Sequence, residues 1–233
     1  MRQADDPVSE CIVEGAELGF LGLALHNRRR NRVNGRVVRG AENQVTVKVS
    51  QSFGNCPKYI QKRIFAPSEL QEKKSPVRAE IRSAFSAEDL HMIEQVDTFF
   101  IASIAARPGE NAKRGVDVSH RGGKPGFVKA TPDGRLIIPD FAGNNHFNTL
   151  GNIHETGKAG LLFLDFKTGD ILQATGAATL LWPEESEWNY GGAERYLVFD
   201  VEQVVRRDST FPLGWYYIDA SPFIPDGGPW LKV

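Results

Sequence analysis

The chain has 233 residues, of which 41% are hydrophobic and 24% charged, as is typical of a globular protein with one large or two small domains. Its formal net charge of −1 gives no electrostatic reason to expect nucleic acid or an acidic membrane as a partner. The sequence has no apolar run of about 18 residues and no apolar core near its start, so we expect no transmembrane helix, no signal peptide and a cytoplasmic location.

The first part of the chain predicts three strands. Residues 16–25 are apolar and spaced by glycines, residues 30–38 carry a glycine inside an otherwise strand-like run, and residues 44–49 alternate apolar and polar side chains. A charged linker at residues 66–76 follows. We therefore assign residues 1–67 to an N-terminal segment of their own.

The second predicted domain, residues 68–207, opens with a helix at 86–94, where Ser86 is a suitable N-cap and Asp89 completes a weak form of the capping box. Further strands are predicted at 99–105, 115–120, 159–166, 171–181 and 196–205, with a hairpin that joins 126–130 to 135–138 around a Thr-Pro-Asp-Gly turn. Short strands, tight turns and few helices favour a mainly β antiparallel barrel or sandwich. Residues 208–233 are interpreted as an extended C-terminal arm.

The segment from Arg135 to Ile153 is the strongest candidate for a binding site. An apolar strand at 136–138 is predicted to end at Pro139 and Asp140, and a small amide-rich turn at 142–145 leads into a short helical stretch from Phe147. A strand that feeds a turn and a helix start gathers free backbone N–H groups, which suits a phosphate or another anion. An ordinary turn is the alternative interpretation.

Two stretches of the chain match without a gap at an offset of 141 positions. Gly19-Phe20-Leu21 falls on Gly160-Leu161-Leu162, and Asn34-Gly35 falls on Thr175-Gly176. The shared order of strands predicts a repeat, although a chance match is the alternative. In a true repeat the first copy would be incomplete, so only the second could hold a full ligand site, and the first would close one side of it.

No metal site is expected from the sequence. His120, His146 and His154 fit no compact ligand spacing. Cys11 and Cys56 are too few to bind a metal by themselves, and we expect free thiols, with a disulfide between them as the alternative.

The order of the segments GVDVSHRGGKPGFVKA, DGRLIIPDFAGNNHFNTLGNI, GLLFLDF and ILQATGAA resembles the pyridoxamine 5′-phosphate oxidase-like family of FMN-binding split β-barrels, in particular its oxidase-related branch. The resemblance is good over residues 85–205 and looser over 16–63. It implies an antiparallel Greek-key split β-barrel with a few short helices, here preceded by a partial second barrel-like repeat. It also implies FMN at a two-fold interface, with contacts from both subunits or from both repeats, and we expect a homodimer.

The resemblance also implies the residues that bind the cofactor, which come from a strand, a strand end, a turn and two basic segments: Ser119, His120, Arg121, Pro139, Asp140, Gly143, Asn144, Asn145, Arg30 and Lys58. Two asparagines stand where the oxidases carry an Arg-Lys pair for the FMN phosphate. Phosphate affinity would then depend on backbone N–H groups and on a cation from elsewhere. Its source is either the run Arg28–Arg32, in particular Arg30, or the segment 55–63 with Lys58, Lys62 and Arg63. The alternatives are a solvated arginine turn around Arg30 and a capped helix start around Asn55 and Pro57.

Two functions remain open at this point. The first is an FMN-dependent oxidoreductase that acts on a small-molecule substrate or electron donor, which stays unassigned because the oxidases' pyridoxal-binding residues are not recognisable. The second is a split-barrel protein that binds flavin, or more remotely haem, without turnover. If the purified protein is yellow and NADH or NADPH bleaches its colour, the result would favour the enzyme.

Overall fold

The computed structural model describes residues 6–41, 44–54, 56–66, 79–107, 114–143, 147–211 and 213–233. Within these ranges the chain is mainly β, with antiparallel sheets and a few short helices arranged in a split-barrel-like fold, which confirms the predicted fold class. No helix in the described ranges is both long and apolar enough to cross a bilayer. Cys11 and Cys56 are free thiols, as expected.

The N-terminal part forms a three-stranded antiparallel sheet. The short helix α1 (Pro7–Cys11) precedes strands β1 (Glu17–Ala24), β2 (Arg29–Ala41) and β3 (Gln44–Gly54), which lie side by side in that order. One helical turn at Leu25–Asn27 and a left-handed Arg28 reverse the chain between the first two strands. The three predicted strands are therefore confirmed.

The rest of the chain supplies a larger sheet and two small ones. Its elements are β4 (Lys62–Phe65), β5 (Glu80–Arg82), α2 (Ala87–Gln95), β6 (Thr98–Ile104), β7 (Val116–Gly122), β8 (Lys129–Ala130), β9 (Leu136–Phe141), α3 (Asn148–Thr156), β10 (Lys158–Leu164), β11 (Ile171–Leu181), β12 (Trp188–Asn189), β13 (Ala193–Arg207), β14 (Trp215–Asp219) and β15 (Leu231–Lys232). The large sheet has the order β7-β6-β10-β11-β13-β9-β8, with β5 also paired to β13.

Aromatic side chains of the large sheet form the centre of the core. Phe99 is fully buried between Phe127, at 5.8 Å between ring centroids, and Phe163, at 5.3 Å. Helix α2 covers this core and begins as predicted, because Ser86 accepts from the Asp89 N–H while the Asp89 carboxylate accepts from the Ser86 N–H.

Strand β9 is longer than the sequence predicts. It runs through Pro139 and Asp140, which pair with Tyr196 and Arg195 of β13, so the expectation that these two residues end the strand was wrong. Strand β8 reaches only to the level of Ile137, so Pro139 lies where β9 has a single described neighbour. A proline is tolerated there because no second strand needs its missing N–H.

The two sheets have matching registers at the positions that the predicted repeat aligns. Gly19 pairs with Asn34 between β1 and β2, and Gly160 pairs with Thr175 between β10 and β11. In each unit the register to the next strand shifts right after this second residue, between Asn34 and Gly35 and between Thr175 and Gly176. The two units therefore share both their register and the position of a β-bulge.

Residues 57–65 connect the two parts of the protein. Pro57 does not begin a helix, so that alternative was wrong; Asn55 lies outside the described residues. The chain turns instead, with Tyr59 in the left-handed region at φ 68°, and enters β4. Strand β4 pairs with β14 of the C-terminal arm, and β15 at the end of the arm pairs with β12.

Candidate functional site

A cleft opens where β7, the end of β9 and the start of α3 meet strand β2 of the N-terminal sheet. Seven residues that the sequence predicts for cofactor binding line it: Arg30, Ser119, His120, Arg121, Pro139, Asp140 and Gly143. The volume of the cleft is about 90 Å³. Ligand pockets usually measure roughly 300–1,000 Å³, so a nucleotide-sized ligand would be enclosed only in part and would extend through the open mouth.

The three remaining predicted residues are Asn144, Asn145 and Lys58. Asn144 and Asn145 lie outside the described residues. Lys58 is described, but its ammonium group lies 5.8 Å from the centre of the Phe223 ring in the C-terminal arm. Its neighbour Tyr59 faces the cleft instead.

A buried ion pair attaches the N-terminal sheet to the floor of the cleft. Arg32 of β2 donates from Nη1 to both carboxylate oxygens of Asp117, at 2.8 and 2.9 Å, and from Nη2 to Ser119 Oγ at 2.6 Å. The Thr149 hydroxyl of α3 also donates to Asp117. One carboxylate thus joins three separate elements, β2, β7 and α3.

Arg30 forms no ion pair with a carboxylate among the described residues, and only the more distant Asp117 carboxylate acts on its charge. Its Nη1 donates to the backbone oxygen of His120 at 3.3 Å, whereas its Nε is buried without an acceptor. Burial, and next the nearby guanidinium groups of Arg32 and Arg121, lower the pKa of Arg30 to about 10. The residue is still charged at neutral pH, so a bound anion would be stabilised beside it.

His120 offers a neutral imidazole to the cleft. The residue is 3% exposed, both ring nitrogens are shielded from water, and neither has a hydrogen-bond partner among the residues that the structure describes. Burial, followed by the positive charges of Arg30, Arg121 and Arg63, lowers its pKa to about 3. At neutral pH one ring nitrogen is therefore a donor and the other an acceptor, and both are unused. Buried polar atoms without partners are uncommon, and such a pair in a cleft indicates a place for a ligand.

On the opposite wall of the cleft, acidic and basic side chains pair with one another. Asp140 pairs with Arg121 and lies 3.6 Å from the Nε of Arg195, which also donates to Glu194 at 2.7 Å. The Arg195 guanidinium lies 4.8 Å from the centre of the Phe147 ring at the cleft mouth. Because Asp140 is flanked by two cations, its charge does not oppose an anion nearby.

Helix α3 points an uncapped first turn at the cleft. Its N-cap residue is Phe147, whose side chain has no acceptor, so no side-chain capping hydrogen bond is made there within the described part of the chain. Thr149 and Leu150 of this turn line the cleft. The first N–H groups of a helix have no intrahelical acceptor and carry partial positive charge, so this turn is suited to an anion.

Tyr59 closes one side of the cleft. Its hydroxyl donates to the Ala142 oxygen at 2.6 Å, and its ring lies 5.6 Å from that of Phe141. Gly122 allows the chain to approach this closely, because a Cβ there would lie 2.0 Å from the Tyr59 backbone oxygen. The contact fixes residues 57–60 against the end of β7.

Of the cleft residues that were not among the predicted cofactor-binding set, four have polar side chains that shape the site: Arg32, Tyr59, Thr149 and Arg195. A signal existed for Arg32, because it follows Arg30 by two positions on a predicted strand and so shares its face. We find no comparable signal for the other three. No group of three or more histidine, cysteine or acidic side chains in the described ranges is arranged to hold a metal ion.

Comparison with known proteins gives no assignment. No family model matches the chain. No curated protein matches it either. Among solved structures it is similar to a histidine-to-alanine variant of HupZ from Group A Streptococcus, with a TM-score of 0.39, 15% identity and coverage of 52% of this chain and 98% of that one. Group A Streptococcus HupZ itself gives a TM-score of 0.37, 14% identity and coverage of 59% and 98%. Values this low carry no functional argument, so the function must be argued from the cleft.

Proposed function

We propose that the cleft binds FMN and that the protein is an FMN-dependent oxidoreductase of the pyridoxamine 5′-phosphate oxidase-like class, with a substrate that remains unassigned. The observation that carries this proposal is Arg30, a half-buried guanidinium in the cleft with no carboxylate partner among the described residues. An anionic ligand would supply the missing partner through a charge-assisted hydrogen bond.

The residues of the cleft match the chemical parts of FMN. The uncapped turn of α3 and Arg30 suit a phosphate, and the neutral imidazole of His120 suits the donor and acceptor groups of a flavin ring edge. Tyr59, Phe147 and Leu150 add apolar surface. When bound, FMN would supply the electron chemistry, while these residues orient it and exclude water.

Strand β2 gives the cleft its positive wall within the same chain. Arg30 and Arg32 both come from the N-terminal sheet, which supports the view that residues 1–67 act as a partial repeat that closes the site. The homodimer that the family resemblance implies stays a prediction, and light scattering after size-exclusion chromatography tests it.

A protein that binds its ligand without turnover is the second candidate, and His120 is the observation that favours its haem version. A neutral imidazole with both nitrogens free is the form that ligates haem iron. The absorbance spectrum distinguishes the two ligands, since haem gives an intense Soret band and FMN does not.

The test of flavin binding is a titration of FMN followed by the quenching of its fluorescence. The Arg30→Met variant removes this charge, and we expect its Kd to rise by about tenfold to a hundredfold. Arg29→Met is the matched control, because Arg29 is the exposed neighbour on the same strand. Wild-type protein that does not quench FMN at all, or an Arg30→Met variant that binds like Arg29→Met, would contradict the proposal.

Turnover is tested separately on the loaded protein. We expect NADH or NADPH to bleach the flavin absorbance, and air or an added acceptor to restore it. FMN-loaded protein that neither donor reduces would favour the binding protein over the enzyme.

A further inference from the structure

Residues outside the cleft hold Tyr59 in the conformation that closes it. Tyr59 has φ 68°, in the left-handed region that is unfavourable for a residue other than glycine. Such a conformation persists only where the surrounding contacts fix it. The Tyr59 hydroxyl makes one of these contacts, to the Ala142 oxygen at 2.6 Å. The backbone of residues 59–60 and the side chain of Gln61 make others, and these lead to the C-terminal arm.

Ser221 of the C-terminal arm holds the Tyr59 backbone directly. Its Oγ accepts from the Tyr59 N–H at 3.1 Å, and the residue is 3% exposed. The same oxygen accepts from the Phe223 N–H at 3.4 Å, within the arm. Because water has little access to this place, a Tyr59 N–H that lost its acceptor would be poorly satisfied.

Gln61 adds a second attachment between the same two segments. It is 2% exposed, and its side-chain oxygen accepts from the Ser221 N–H at 3.0 Å. Its side-chain nitrogen donates to the Gly123 oxygen at 2.9 Å. Gly123 directly follows β7, so Gln61 connects the arm to the strand that forms the floor of the cleft.

Arg28 joins the turn between β1 and β2 to both segments. Its Nε donates to the Ile60 oxygen at 2.9 Å, and its Nη2 donates to the Ala220 oxygen at 3.0 Å. The guanidinium also pairs with the Asp219 carboxylate. The C-terminal arm is therefore part of the structure that fixes the cleft wall.

These three attaching residues do not line the cleft themselves. Tyr59 is among the residues that line it, whereas Arg28, Gln61 and Ser221 are not. An effect of Ser221 on a ligand in the cleft must therefore pass through a residue that it holds. Of the residues to which Ser221 forms the hydrogen bonds described above, Tyr59 is the one in the cleft wall.

We propose that Ser221 is a positioning residue for the cleft: it keeps Tyr59 in its left-handed conformation and thereby sets the affinity of a site that it does not touch. This role rests on the function proposed above, because the ligand is the FMN assigned to the cleft. Without the hydroxyl, a fraction of the chains has Tyr59 in conformations that leave the cleft open. A ligand that requires the closed wall then binds in proportion to the closed fraction.

The first test is the FMN fluorescence titration on the Ser221→Ala variant. We expect its Kd to rise by about threefold to tenfold. Ser186→Ala is the matched control, because Ser186 is 9% exposed and its Oγ also accepts from a backbone N–H at 3.1 Å, that of Trp188. Since Ser186 is not among the residues that line the cleft, we expect this control to bind FMN like the wild-type chain.

A double-mutant cycle tests whether the effect passes through Tyr59. Tyr59→Gly removes the ring and the hydroxyl, and glycine adopts the left-handed conformation without strain. In this background Ser221→Ala should leave the Kd for FMN unchanged, because no side chain remains to be positioned. A general loosening of the arm would instead weaken binding equally in both backgrounds.

Hydrogen–deuterium exchange followed by mass spectrometry tests the positioning without any ligand. We expect the peptide that contains residues 57–61 to exchange faster in Ser221→Ala than in Ser186→Ala. A peptide from β10 should exchange alike in both variants, which would exclude a general loss of stability.

A second variant keeps the test decisive if Ser221→Ala disturbs folding. Arg28→Met removes the hydrogen bonds to the Ile60 and Ala220 oxygens, so we expect weaker FMN binding and faster exchange of residues 57–61. Arg29→Met removes the same charge from the neighbouring exposed position and should change neither.

Three results would overturn this role of Ser221. They are equal FMN binding by Ser221→Ala and Ser186→Ala, equal weakening by Ser221→Ala with and without Tyr59→Gly, and unchanged exchange of residues 57–61 in Ser221→Ala. The first of these, with wild-type protein that binds FMN, leaves the proposed function standing. Wild-type protein that does not bind FMN overturns the proposed function, and the role of Ser221 in affinity with it.

Discussion

The Asp117→Asn substitution tests how the N-terminal sheet is attached to the site. The Asp117 and Arg32 side chains are only 2% and 8% exposed, and Arg32 makes two hydrogen bonds to this carboxylate. Water does not screen such a pair, and removing one partner leaves the other charge buried. We therefore expect Asp117→Asn to lower the free energy of unfolding by about 3–5 kcal/mol. Because whole domains are stable by only about 5–15 kcal/mol, this loss is large.

The assay is urea unfolding followed by circular dichroism, with an exposed ion pair as the control. Lys232 lies 3.5 Å from Glu187, and both side chains are more than half exposed, so Glu187→Gln should cost only about 0–1 kcal/mol. The double variant Asp117→Asn with Arg32→Met removes both charges and should recover much of the loss. If Asp117→Asn cost no more than Glu187→Gln, the buried pair would not be what attaches the sheet.

Two further predictions concern pH and the bulge. The pKa of His120 falls from 6.5 to about 3 on folding, so below pH 6.5 the unfolded chain takes up a proton that the folded chain does not. The free energy of unfolding should therefore fall as the pH is lowered from 6.5 towards 3, by up to about 1.4 kcal/mol per pH unit. His120→Gln should remove this part of the pH dependence in urea unfolding between pH 6.5 and about 5, and the control His26→Gln should not. If the free energy of unfolding changed equally steeply with pH in both variants, His120 would not be a buried neutral imidazole. Gly176→Ala would place a Cβ 2.0 Å from the Asp200 backbone oxygen and should cost about 1–3 kcal/mol. Gly151→Ala, with open space in helix α3, should instead stabilise by about 0.5–1 kcal/mol, and a harmless Gly176→Ala would contradict the close approach at the bulge.

Local patterns were sufficient to predict most of the elements. The alternation at residues 44–49 lies within β3, and the predicted strand 171–181 has the bounds of β11. Ser86 caps α2 through its own neighbours, which is why its role is visible in the sequence. These features depend on residues close in the chain. The sequence predicted strand β9 too short, because whether a strand tolerates Pro139 depends on how far β8 extends beside it.

The candidate site could be predicted only in part for the same reason. Ser119 and His120 on β7 and Asp140 on β9 do meet at one cleft, as the family resemblance implies. The left-handed turn at Tyr59 brings that residue to the cleft rather than Lys58, and nothing local in the sequence indicates such a turn. Contacts between elements far apart in the chain decide these placements.

The most direct test of the central claim is a mass spectrum of the small molecule released when the purified protein is denatured, after incubation with FMN and removal of the excess. We expect FMN at one molecule per chain, and a strongly reduced amount from the Arg30→Met variant. Recovery of no flavin from wild-type protein that remains folded would contradict the account, and so would recovery of haem from freshly purified protein.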